Sequence, residues 1–171
     1  PRFGMYYVDG NAGDRLRGEV KYGGFGMSNV TSMIGWQQEI QYVNSGDFQC
    51  LFEFLFTGSG LESGRFIPAI TFMNGFRMYK SGWEIAFGPT FRFVRKADGF
   101  YTGTDIETDW HLANEWNTFF DTKPDMISNL DSRGDVNVTA GLVIAVGKTF
   151  RSGQLNIPVN FYMIPRPEGS T

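Results

Sequence analysis

Six charged residues stand on one face of alternating segments: Glu39, Glu53, Arg77, Glu84, Arg92 and Lys96. Gathered in one interior, carboxylates, guanidinium and ammonium groups pair through charge-assisted hydrogen bonds, because an unpaired buried charge is costly. Such a network serves as a binding site or polar permeation path, or it plugs and stiffens a narrow interior. Paired carboxylates also carry out acid–base work in glycoside hydrolysis, but that chemistry is set by a separation the sequence does not supply. His111 is the only histidine, and Asp109 lies two residues before it. A hydrolase would need a nucleophile as well, and no serine elbow accompanies them. The single cysteine, Cys50, excludes an internal disulfide and a CxxC metal site. The expectation is a protein that is not an enzyme, with no cofactor and no metal.

A second group lies in the one long segment without alternation, residues 97–134. It carries Asp105, Glu107, Asp109, Glu115, Asp121, Asp125 and Asp131, with Trp110, Trp116, Phe119 and Phe120 interleaved. Acids among exposed aromatics suit a partner or a carbohydrate, so Asp105, Glu107, Asp109, Trp110, Glu115 and Trp116 form the candidate partner surface. The spacing of a calcium loop is missing. The alternative is a solvated loop whose aromatics fold over whatever it caps, with a short helix over Trp110–Phe119.

The elements that position these groups are strands. In Gly82–Lys96, Trp83, Ile85, Phe87, Pro89, Phe91 and Phe93 alternate with Glu84, Ala86, Gly88, Thr90, Arg92, Val94 and Lys96. Only a period of two separates the sets this way. The same reading gives strands at Arg2–Val8, Met33–Tyr42, Phe48–Phe56, Arg65–Tyr79, Val136–Phe150 and Leu155–Met163, and a weaker one at Arg15–Met27. Asp9–Asp14 reads as a turn and Thr57–Gly64 as a loop. Pro68 and Pro89 oppose the pattern, since each removes a ladder donor.

Large aromatic residues on one face and small or charged ones on the other suit a barrel in a bilayer, apolar outside and polar within. The 171 residues include Gly 22 and Phe 17, and no apolar run is long enough for a membrane helix. The net charge of -3 and the lack of a basic stripe argue against nucleic acid. Connections after Tyr42, Tyr79 and Phe150 are tight, and those after Met27, Thr57 and Lys96 are long, the asymmetry of outer-membrane barrels. Trp36, Tyr42, Tyr79 and Trp83 are placed near the tight turns as an interfacial girdle. The fold class expected is therefore all-β: an antiparallel up-and-down (meander) barrel filling 1–171 as one domain. About eight strands are visible, and parity makes them part of a barrel of about ten or more, with a strand missing at one or both ends.

The run DFQCLFEFLF (Asp47–Phe56) together with GRFIPAITFMNGFRMYKSGWEIAFGPTFRF (Gly64–Phe93) resembles the C-terminal barrel region of outer-membrane proteins of Gram-negative, bacteroidete-type bacteria. The ending QLNIPVNFYMIP is similar to their penultimate strand. The resemblance implies an integral outer-membrane location in contact with lipid, and it brings no catalytic residues. The function expected is structural, scaffold or partner-docking, with another envelope protein meeting the 97–134 loop. The alternative is a soluble calycin-like barrel in which Phe48, Phe52, Phe54, Phe87 and Phe91 turn inward around an apolar ligand.

Overall fold

The computed structural model describes residues 1–105, 108–153 and 155–165. The chain is all-β, and its antiparallel sheet curls into a half-barrel. Seven strands form the meander: β1 (Arg2–Tyr7), β2 (Val30–Ser45), β3 (Phe48–Ser59), β4 (Ile67–Met78), β5 (Trp83–Tyr101), β8 (Asp135–Ser152) and β9 (Leu155–Met163). Two short strands, β6 (Trp110–Leu112) and β7 (Ile127–Leu130), fold back onto β5. Lys96 pairs with both β7 and β8, which puts β7 on the β4 side of β5. Gly99 pairs with both β7 and β6, which puts β6 above β8.

The expected strand over Arg15–Met27 is not one. Helix α1 (Gly10–Arg17) occupies its start, and a single 3-10 turn, Val20–Tyr22, follows. The Asp9 side chain accepts a hydrogen bond from the Gly10 N–H at 2.8 Å, and Arg15 and Arg17 sit in the last turn, where cations favour the helix dipole. The helix tucks into the curl. Ala12, Leu16, Phe25, Met27 and Leu130 form a buried cluster against Val8, Ile67 and Val94. Losing that strand also changes the parity. Both β1 and β9 run from the tight-turn end to the long-loop end, so the two open edges of the sheet are parallel. The expected strand before Arg2 loses its support, because it rested on counting Arg15–Met27.

Along the wall, the alternation has the sense expected of an apolar exterior. Glu84, Ala86, Gly88 and Thr90 are buried, while Trp83, Ile85 and Phe87 between them are exposed. Phe48, Phe52 and Phe56 also face outward on β3, with Phe52 37% and Phe56 40% exposed. The inward aromatic cavity of the soluble alternative is therefore not formed by this set. Rings meet on the outer surface instead: Phe54 lies 5.3 Å from Phe72 and 6.3 Å from Trp36, centroid to centroid.

The prolines fit because the β4–β5 ladder is incomplete. Its register runs through Thr71↔Thr90 and resumes at Asn74↔Phe87, skipping Pro89. At the other end pairing stops at Ala69↔Arg92, before Pro68. Neither proline is asked for a donor that the missing pairs would need.

The tight turns lie at one end and the long connections at the other. Gly46, Gly82 and Gly153 have φ of 61°, 73° and 60°, a backbone that only glycine adopts without strain, and each closes a tight turn. Tyr42, Tyr79 and Trp83 stand exposed at that end, and Arg151 lies 4.1 Å over the Tyr79 ring. Trp36 does not join them. Its pairing with Phe56 places it toward the opposite rim.

Candidate functional site

The polar network inside the curl is built by register. Glu39 pairs with Glu53 across β2 and β3, and Arg77 pairs with Glu84 across β4 and β5. All four point inward, where the Arg77 guanidinium reaches both neighbours. Its Nη2 donates to Glu39 Oε2 at 2.7 Å, and its Nε donates to Glu84. Arg2 joins from β1, donating from Nε to Gln37 Oε1 at 2.6 Å and lying 3.6 Å from Glu39. Gln37 in turn donates to Glu53 Oε2 at 2.7 Å and to Glu39 at 3.1 Å. Glu53 is 1% exposed, and its Oε1 has no hydrogen-bond partner. Five strands thus contribute to one net of three carboxylates, two guanidinium groups and an amide.

Two expected members lie elsewhere. Arg92 is eight residues beyond Glu84, about 26 Å along the strand, and Lys96 is farther still. Between the two levels the lumen is apolar. Leu55, Met73, Ala86, Val143 and Ala145 pack together, with Tyr162 and Ile164 against them. Above them the Thr71 and Thr90 hydroxyls share a hydrogen bond at 2.8 Å. The layer lies between the network and the long-loop end along the β3–β8 wall, while the open side between β1 and β9 is lined by Arg2, Asn160, Tyr162 and Arg92. Arg2 was missed because a short aromatic strand gives no sign of which lumen its lone charge will enter.

At the long-loop end, the 97–134 segment is more ordered than a loop. β5 continues to Tyr101, and the expected helix over Trp110–Phe119 is instead β6 followed by a 3-10 helix, Ala113–Thr118. Trp110 is not presented to solvent. It is 2% exposed, and its indole N–H donates to Asp131 Oδ2 at 2.8 Å. Asp131, 0% exposed, also accepts from the Arg133 backbone at 2.8 Å and from its guanidinium at 2.8 and 3.0 Å. Burial would raise this carboxyl, but the Arg133 and Trp110 hydrogen bonds outweigh it and hold the pKa below the usual carboxylate range. Gly23, at φ 85°, closes over the same carboxylate, where a Cβ would lie 2.2 Å from Oδ2. Arg15 sits 5.0 Å over the Trp110 ring, joining α1 to the cluster.

Three further loop acids, Asp105, Asp109 and Glu115, serve the loop's own backbone. Asp109 accepts from the Asp105 N–H at 2.9 Å, and Asp105 accepts from the Thr108 N–H at 3.1 Å. Glu115 accepts from the Leu112 N–H at 3.0 Å and lies 3.8 Å from His111 Nδ1. The His111 ring is 4.1 Å from that of Phe119, within a cluster around buried Phe100. Among the described residues the acid nearest His111 is thus Glu115, while Asp109, two residues before it in sequence, turns to the Asp105 N–H. Trp116 is half-buried, and Phe119 and Phe120 are exposed. Glu107 lies outside the described residues. Among the described residues no cluster of three potential metal ligands is found.

No protein-family model, curated protein or solved structure matches this chain.

Proposed function

We propose that the chain is the wall of an integral outer-membrane β-barrel with a structural or partner-docking role, in contact with lipid through its aromatic face. The observation that carries the reading is the sense of the alternation. Charged and small residues are inside, and a continuous aromatic surface is outside. On β3 that surface runs from Phe48 to Phe56, eight residue steps or about 27 Å along the strand, which suits the roughly 9–11 residues of a tilted membrane strand. A patch of this size exposed to water is a liability for a monomer, and lipid removes it. Cationic and aromatic side chains alternate at the tight-turn rim, as they do at a membrane interface. In lipid the unpaired edges of β1 and β9 must also be satisfied. Because the two edges are parallel, antiparallel closure takes an odd number of further strands between them.

The docking part of the reading falls on the exposed portion of the 97–134 segment, around Trp116, Phe119 and Phe120, with Trp110 and Asp131 as its internal support. The test is fractionation of expressing cells, followed by a denaturing gel run with and without boiling. Recovery in the membrane fraction and a heat-dependent change in mobility support the barrel. Recovery in the soluble fraction without detergent removes it. A photoreactive residue in place of Phe119 then reports docking through a cross-linked envelope protein, and cross-links to lipid alone would sink that role.

A further inference from the structure

A cavity of about 550 Å³ lies under the long-loop end, between the α1 segment and the wall. That volume is within the range of pockets that enclose a small ligand. Leu16, Phe25 and Met27 line it from the α1 side, and Ile67, Val94 and Leu130 line it from the barrel. It also reaches the outer surface. Arg92 is the last β5 residue paired with β4, and Lys96 is the first paired with β7. Among the described residues, β5 has no strand on that edge between them, and the cavity continues there to Phe66, Pro68 and Phe93. The gap in the ladder is a side window in the wall.

Three arginines, Arg65, Arg92 and Arg95, line this cavity, and no aspartate or glutamate does. The Arg65 guanidinium donates to the Phe25 carbonyl at 3.2 Å, which holds it against the apolar floor. Arg95 lies at the mouth, is exposed, and donates to the Gly134 carbonyl at 3.4 Å. Several guanidinium groups at the edge of an apolar pocket complement one kind of molecule: an anionic head on a long apolar tail. We propose that this cavity binds a long-chain anionic amphiphile, entering through the β4–β5 window with its carboxylate or phosphate on the arginines and its alkyl chain against α1. The site does not depend on membrane insertion, since a soluble chain would hold the same molecule.

The test is equilibrium binding of radiolabelled palmitate and of dodecyl phosphate to the full chain in a bulky neutral detergent, with hexadecanol as the uncharged control. Saturable binding of either anion, with hexadecanol much weaker, is expected; which anion binds tells a carboxylate head from a phosphate one. The double variant Arg65→Gln/Arg95→Gln should weaken binding about tenfold or more, and Arg65→Lys/Arg95→Lys should retain most of it. Ala69→Phe, which fills the cavity from the lumen face, should abolish binding while the circular dichroism spectrum is unchanged. Equal binding of hexadecanol, equal losses in the Gln and Lys variants, or no saturable binding would overturn the inference. Palmitate binding by a chain recovered in the soluble fraction would leave this site standing and remove the membrane reading.

Discussion

The two ends of the curl face the same problem, an interior too wide for small side chains, and solve it differently. At the tight-turn end β2 to β5 stay paired past the end of β1, and the space is filled by long charged side chains from β1, β2, β3, β4 and β5 that meet around Arg77. At the long-loop end β4 and β5 part company after Ala69 and Arg92, and the space is filled by chain: α1, its following turn and the returning β7. Where register is intact, pairing alone brings charges together. Where it fails, connections move in, are pinned by buried polar contacts such as Trp110 to Asp131, and leave a cavity beside them.

The comparison can be broken at either end. The largest effect is expected for Arg77→Met, which strands Glu39 and Glu84 beside Glu53 in the lumen. Loss of one partner of a buried pair costs about 3 to 5 kcal/mol, and the midpoint of urea unfolding in detergent should fall accordingly. An unchanged midpoint would mean that the network is solvated. Phe54→Arg places a charge on the outer aromatic face and, if lipid lies there, costs about 2 to 4 kcal/mol and abolishes assembly into membranes. Normal assembly would count against the proposed orientation.

At the other end, Asp131→Asn removes the acceptor that holds Trp110 and Arg133 together. A loss of about 2 kcal/mol is expected, read as faster protease cleavage within 97–134 while the barrel wall stays intact. The pH dependence has a definite sign. The Asp131 pKa is depressed in the folded chain, so its stabilisation is present above the ordinary value of 3.8 and is lost as pH falls through the lower, folded value. Pepsin should therefore cut the native segment more slowly than the Asn variant near pH ~4, and the two rates should converge as pH drops further, the ratio cancelling the protease's own pH dependence. The smallest effect is expected for Glu53→Gln, which keeps shape and hydrogen bonding with Gln37 and should shift the unfolding midpoint by less than about 1 kcal/mol.

The sequence by itself determined the wall. A period of two cannot be mistaken over Trp83–Lys96 or Phe48–Phe56, and it placed Glu39, Glu53, Arg77 and Glu84 on one face before any partner was known. It also carried the alternation of tight and long connections, because turn glycines at Gly46, Gly82 and Gly153 are local requirements. Which charges meet was decided by register. Strand pairing and stagger brought Arg2 to Glu39, which no spacing along one strand encodes, whereas the eight residues from Glu84 to Arg92 already placed Arg92 and Lys96 at another level of β5. The plug was decided by tertiary structure too. Gly10–Arg17 holds two glycines, an asparagine and an aspartate, poor helix formers, so its helix takes its form from the apolar space it fills. Trp110 and Asp131 are 21 residues apart, and only the fold-back of β6 and β7 onto the two edges of β5 turns an acidic, aromatic stretch inward to become a buried lock.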